Sequence, residues 1–173
     1  MSGSLVLIQE TTVSSGVSAV TLSGITSDFN VYQVIANNVR IDTDAQPVKK
    51  RFTVSGSAVT SSSYDFAFLR LRTENTFQEK QATNQDSFGN LDSIGTATNE
   101  ALNETIYIFN ASNSNEFTFA THEAVMTIHD NSNCHGIAGG VCLTETSVVD
   151  GITFFAGSGN IDAGTFKLYG LVK

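Results

Sequence analysis

Apolar and polar positions alternate with a period of two along most of this chain, which sends successive side chains to opposite faces of a sheet. The stretches Phe117-Thr118-Phe119-Ala120-Thr121-His122 and Leu168-Tyr169-Gly170-Leu171-Val172 also carry the aromatic and β-branched residues that suit a pleated surface. The pattern predicts strands at Leu5 to Thr12, Ser18 to Leu22, Val31 to Val39, Lys50 to Ser55, Tyr64 to Thr73, Thr105 to Asn110, Phe117 to His129, Gly136 to Thr144, Gly151 to Ala156 and Thr165 to Val172. Between them lie Ser14-Ser15-Gly16, Ser23-Gly24, Asn110 to Asn115, Asp130 to Asn133 and Gly157-Ser158-Gly159-Asn160. Such residues reverse a chain through positive φ or through side-chain hydrogen bonds to nearby backbone.

The longest segment without strand character is a polar excursion at about 74–103, rich in Asn, Gln and Thr, with Phe77, Phe88, Leu91 and Ile94 as its large apolar anchors. A structureless loop of that length is uncommon inside a compact domain, so the segment is expected to pack on the sandwich or on a partner. No linker and no internal repeat divides the chain, which reads as a single domain over 1–173. About ten antiparallel strands must pair into two facing sheets or a closed barrel, because one sheet would leave an apolar face wet. The expected fold is all-β, a jelly-roll-like antiparallel β-sandwich.

Composition narrows the classes. With 173 residues, 40% hydrophobic and 15% charged, the chain is neither a disordered acidic tail nor a membrane span. A net charge of −8 repels phosphate backbones and argues against a nucleic-acid partner. The densest basic run, Lys49-Lys50-Arg51, reads as a solvated strand end. The apolar run Leu5-Val6-Leu7-Ile8 lacks a basic flank and ends at Gln9-Glu10, so neither an export signal nor an anchor is expected and synthesis is expected in the cytoplasm. Two cysteines are too few for a disulfide scaffold in a domain of this size.

Candidate chemistry is sparse. No G-x-S-x-G, P-loop or G-x-G-x-x-G stretch occurs, and Gly136-Ile137-Ala138-Gly139-Gly140 reads as a strand whose small residues face a close neighbour. His129, Asp130, Cys134, His135 and Cys142 offer soft ligands without zinc-site spacing, and the cysteines read as a loop thiol and a buried small residue. Asp42 with Asp44, and Asp150 with Glu145, are carboxylate pairs of the kind glycosidases use, but nothing singles them out, and Asp42-Thr43-Asp44 reads as a solvated turn. Arg70 and Arg72 share one strand face, opposite Leu69 and Leu71, which reads as an ordinary half-exposed sheet. Tyr32, Tyr64, Tyr107 and Tyr169 are the only tyrosines, and most phenylalanines, Phe154 and Phe166 among them, read as core. No catalytic residue, cofactor or metal ligand is assigned on these grounds.

The two ends of the chain carry a more specific signal. Ser18-Ala19-Val20-Thr21-Leu22-Ser23-Gly24-Ile25-Thr26-Ser27-Asp28-Phe29-Asn30-Val31-Tyr32 resembles a strand and "GI-(T/D)-S-x-Y-D-x-Y" turn of a group of tailed-bacteriophage virion proteins, with Phe29 for the usual Tyr and Asn30 for the usual Asp. Gly151-Ile152-Thr153-Phe154, Ser158-Gly159-Asn160-Ile161 and Gly164-Thr165-Phe166-Lys167-Leu168-Tyr169-Gly170 resemble their "GI-x-F…SGNI-x-x-GTF-x-LYG" ending. The resemblance covers the two ends and little of the middle. It implies a small all-β structural protein of marine-phage and cyanophage type virions, without catalytic residues or cofactors, serving as capsid decoration or as a tail or fibre component. Its implied partners are the major capsid protein or tail and baseplate proteins, and its implied state a homo-oligomer, with a trimer favoured. A different expectation is a carbohydrate- or receptor-binding module at a tail tip, gripping host surface glycan through Tyr64, Tyr107 or the 74–103 excursion. A depolymerase stands third. In the closing segment, Gly159-Asn160 and Gly164 suit tight reversals, and Phe166, Leu168 and Gly170 alternate with Lys167, Tyr169 and Leu171, which reads as a finished edge or an interface strand.

Overall fold

Alternating burial turns each period-two segment into a strand with one dry face. The computed structural model describes residues 4–74, 76–89, 92–130 and 133–172. Its strands are β1 (Leu5–Val13), β2 (Val20–Ser23), β3 (Val31–Ile41), β4 (Val48–Val54), β5 (Ser57–Ala58), β6 (Tyr64–Arg72), β7 (Gln78–Gln85), β8 (Leu102–Phe109), β9 (Thr118–Thr127), β10 (Cys134–Leu143), β11 (Gly151–Ala156) and β12 (Ile161–Leu171). All ten predicted strands are present. The two additions are β5, which is too short to show a period, and β7, whose sequence QEKQATNQ lies almost wholly exposed at a sheet edge. An edge strand whose one apolar core contact is Ala82 carries too little hydrophobic alternation to read.

Two antiparallel sheets form a β-sandwich. The large one has eight strands in the order β1-β12-β3-β8-β9-β10-β6-β7, the small one four in the order β2-β11-β4-β5. The pairs β4·β5, β3·β8, β2·β11 and β1·β12 are nested, each enclosing the previous one along the chain, so the path is one long hairpin wrapped over itself. The β6–β7 and β9–β10 hairpins are insertions into that hairpin, and they extend the large sheet beyond the small one. Of the finished edge or interface strand expected of the closing segment, the edge does not hold: β12 is hydrogen-bonded on both sides, to β1 and β3, because β1 folds back over it. Gly159 (φ 75°) does reverse the chain before β12, whereas Gly164 (φ 143°) sits within the strand where its register to β3 shifts, forming a bulge instead of a second reversal.

The core lies between the sheets. Phe154 of β11 and Phe166 of β12, both fully buried, meet with ring centroids 5.1 Å apart. Where the large sheet outruns the small one, the 74–103 excursion covers it. Past β7 this segment runs beside β4 through paired backbone bonds, Lys50 with Phe88 and Gln46 with Ile94, and buries both apolar residues. Phe88 completes an aromatic group with Phe52 and Tyr64, at 5.2 and 5.7 Å between ring centroids. The excursion therefore packs on the sandwich, while Phe77 remains exposed and Leu91 falls outside the described residues. The Gly24-Ile25 turn is also structural. Ile25 is buried, and the Tyr32 hydroxyl accepts from Thr26 N (2.8 Å) and donates to Thr26 O (2.6 Å), closing the turn before β3.

Candidate functional site

The outer face of the large sheet, turned away from the small sheet, is the most distinctive surface. Strand register sets its side chains in rows across β8, β9, β10 and β6: Phe109–Phe119–Cys142–Asp65, Tyr107–Thr121–Gly140–Ala67, Thr105–Glu123–Ala138–Leu69, and Asn103–Val125–Gly136–Leu71, in which Asn103 faces Val125 across β8 and β9. The β10 positions are nearly all Gly or Ala, so the floor is low, and larger apolar groups stand around it. Phe119, Val125, Leu69 and Leu71 are 44%, 47%, 39% and 37% exposed. A depression of about 810 Å³ opens there, bounded by Ala67, Gln81, Phe109, Phe119 and Gly140. Cys142 lines it too, and burial pushes its thiol pKa up.

Toward β3 and β12 the same face becomes more polar, with Leu7 on β1 again apolar and 49% exposed. The rows continue as Tyr107–Gln33–Tyr169–Leu7 and Thr105–Ile35–Lys167–Glu10. Gln33 Nε2 donates to the Tyr107 hydroxyl at 2.8 Å, and Lys167 pairs with Glu10 at 3.3 Å. A second depression of about 760 Å³ lies between them, with Asn37, Asn103, Glu123, Lys167 and Tyr169 on its walls.

Two ionisable clusters lie on the opposite, inner face. In the first, Lys50 is no solvated strand end. It is in phase with Val48 and Phe52 on β4, points into the core and is 1% exposed. Its Nζ lies 2.6 Å from Glu104 Oε2, which also lies 2.6 Å from His122 Nε2. Burial opposes the Glu104 charge, but the Lys50 ammonium and the His122 hydrogen bond hold its pKa below the ordinary value, while burial drives His122 down toward the neutral ring. Glu104 Oε1 and His122 Nδ1 have no hydrogen-bond partner. Glu104 and His122 were not singled out by sequence, although each sits in the apolar phase of its strand, Glu104 with Leu102 and Ile106, His122 with Ala120 and Met126.

The second cluster pins the excursion. Arg70 and Arg72 turn inward and Leu69 and Leu71 outward, the reverse of an ordinary half-exposed face, because the excursion supplies carboxylates to meet the arginines. Asp92 is bonded by Arg70 and lies 2.8 Å from His135 Nδ1, while Glu74 pairs with Arg72 and lies 2.8 Å from His135 Nε2. Of the remaining soft-ligand candidates, His129 and Asp130 line one depression with His135 and Asp92, whereas the cysteines do not. His129 donates its backbone N–H to Ser93 O. Cys134 and Cys142 are free and occupy one strand, about 26 Å apart at ~3.3 Å per residue, far beyond disulfide reach. Cys142 faces the outer depression and not the core, and Cys134 opens β10 instead of lying in a loop. Among the described residues no three His, Cys, Asp or Glu side chains group to hold a metal ion.

The carboxylates weighed for acid–base work are caps. Asp42 accepts from the backbone and side chain of Asn160 (2.7 and 2.8 Å), which hold its pKa below the usual carboxylate range. Asp150 accepts from Thr53 Oγ1 (2.5 Å) and Gly56 N (2.7 Å) and fixes the β4–β5 turn, while Glu145 accepts from Ser61, Ser63 and Ser147. Asp44 is exposed in its turn, as its neighbours in sequence suggest. Tyr64 cannot grip a ligand. It is fully buried, accepts from Phe52 N at 2.9 Å, and burial raises its pKa. Tyr32 is buried as well, which leaves Tyr107 and Tyr169 as the tyrosines near a surface depression. Comparison with protein-family models, curated proteins and solved structures yields no match.

Proposed function

We propose that this chain is a non-enzymatic structural subunit of a tailed-phage particle, a decoration protein on the capsid or a tail or fibre component, and that its outer sheet face seats a neighbouring copy of the same chain. The observation that carries the assembly reading is the apolar half of that face. Eight strands spaced ~4.8 Å span about 34 Å, and strands of eight to eleven residues run about 26–36 Å, so the whole face offers roughly 900–1,200 Å², enough for the ~800 Å² that each partner of a stable interface contributes, with its apolar half as the centre. Exposed Phe119, Val125, Leu69 and Leu71 over a Gly/Ala floor are a surface that loses hydration free energy when left uncovered. Self-association of a chain of net charge −8 requires an interface poor in unpaired charge, and between β9 and β6 the central rows present Glu123 and Asp65 as their only acids.

The nested strand pairs support a jelly-roll reading, with the β6–β7 and β9–β10 hairpins as additions, and that architecture serves capsid and lectin domains alike. The virion itself comes from the resemblance at the two chain ends. Immunogold electron microscopy of intact particles with an antibody to this chain tests it. Gold over the head supports decoration, gold confined to the tail supports the fibre placement, and unlabelled particles overturn the virion assignment.

One observation favours glycan binding at a tail tip as a second reading. The polar depression joins Tyr169 to Asn37, Asn103 and Glu123, a mixture of ring face and amide and carboxylate groups suited to sugar hydroxyls. Host polysaccharide retained by the wild type and released by Tyr169→Ala supports it, and no retention by the wild type removes it.

A further inference from the structure

The Lys50–Glu104–His122 cluster is the least ordinary chemistry in the molecule; Glu104 borders the polar depression, but its side chain is 0% exposed and turned into the core, so neither the assembly face nor the glycan depression uses the cluster. An amine and a carboxylate face each other at 2.6 Å across the two sheets, with 1% and 0% of their side chains exposed. Their walls are aromatic. The Phe154 ring centroid lies 5.9 Å from Lys50 Nζ, and the Phe68 ring meets His122 edge-on at 5.4 Å. The lid is equally close. Gly89 (φ 81°) lies against Lys50 so tightly that a Cβ there would sit 2.7 Å from Lys50 Cδ, which lets the excursion seal the site. Replacing two buried charges by a neutral amide would remove their desolvation penalty, and once the released water has left, burial from bulk solvent slows the return of the amide to its acid and amine.

We propose that Lys50 and Glu104 condense to an intramolecular isopeptide bond that ties β4 of the small sheet to β8 of the large one. The pair stands as it would before reaction. A proton passes from Lys50 Nζ to Glu104 Oε2 along their hydrogen bond, giving a neutral amine and a neutral acid. The Nζ lone pair then forms a bond to Glu104 Cδ. The Cδ–Oε2 bond breaks, and Oε2 departs as water carrying the first proton and a second one from Nζ. Ammonium and carboxylate thus become amide and one water, with no oxidant, reductant or activating group required. His122 is placed as a catalytic residue. Its Nε2 lies 2.6 Å from the departing oxygen, and because Nδ1 has no partner the ring's proton belongs on Nε2, where it hydrogen-bonds that oxygen. Proximity supplies the rest, since two groups fixed in contact react with effective concentrations far above those of free amine and acid.

Intact-mass spectrometry of the purified, fully denatured wild-type chain tests the proposal directly. The expected mass is one water below that of the sequence after accounting for Met1, and peptide mapping is expected to join the Lys50 and Glu104 peptides in one branched species, with trypsin failing to cut after Lys50. Lys50→Met should restore the full sequence mass. A wild-type mass equal to the sequence, with Lys50 and Glu104 in separate linear peptides, overturns the bond. So does a lost water that persists in Lys50→Met. Because the wild-type mass is read without any variant, a variant that misfolds does not alter the outcome, and the result bears on neither the virion nor the glycan reading.

Discussion

At the residue scale, whether a Phe or a carboxylate matters is decided by the phase of its strand and by what lies across from it. Phe154 and Phe166 are fully buried against each other, so Phe154→Ala should cost about 3–5 kcal/mol by chemical denaturation, whereas Phe77→Ala, at an exposed position, should change stability by less than ~0.5 kcal/mol. Equal costs would mean that inside and outside have been exchanged. Asp42 makes a prediction with a sign. Asn160 holds its folded pKa below the unfolded value, so its contribution is present above the ordinary carboxylate pKa of about 3.9 and is lost as pH falls through the lower folded value. Thermal unfolding of Asp42→Asn should therefore fall below wild type near pH 7, with the gap closing toward about pH 3. A gap constant with pH would assign the effect to shape and not charge. The same phase rule shows what the sequence could reveal of the polar core. Lys50, Glu104 and His122 each stand two residues from apolar neighbours on one strand face, a legible signal, yet their meeting depends on strands separated by tens of residues. Reading Lys50 with Lys49 and Arg51 as one basic run hid the alternation that sends Lys50 inward.

At the scale of elements, every strand with an apolar core stripe was visible in the alternation, and β7, which meets the core only through Ala82, was not, because its neighbour β6 and not its own composition makes it a strand. The inward turn of Arg70 and Arg72 was likewise invisible, since the carboxylates that meet them come from the excursion. That segment behaves as a clasp. Asp86 holds Arg51 (2.5 Å), Phe88 and Ile94 lie in the core, and Asp92 stands between Arg70 and His135. Asp92→Ala takes one partner each from Arg70 and His135, which keep Gln78 and Glu74, and should cost on the order of 2 kcal/mol, with limited proteolysis first nicking residues 86–101. First cleavage at the β9–β10 turn instead would show that the clasp is held by its apolar anchors alone.

For the whole molecule, the wrapped hairpin explains why one sheet has twice the strands of the other. The added hairpins lengthen the large sheet beyond the small one, the excursion covers the inner side of that extension, and its outer face is apolar at β9, β10 and β6. Alternation along β6 and β9 showed that each strand has two unlike faces, but which face meets the small sheet depends on the wrapping, so the assembly surface became visible only in three dimensions. The most direct test of that surface is the mass of the purified protein by light scattering coupled to size exclusion, for the wild type and for Leu69→Lys with Val125→Lys. The account predicts a wild-type mass that is a multiple of the 18.4 kDa chain, three-fold for the trimer, and the single-chain mass for a folded double variant. A monomeric wild type, or an oligomer that the two lysines leave intact, would contradict it.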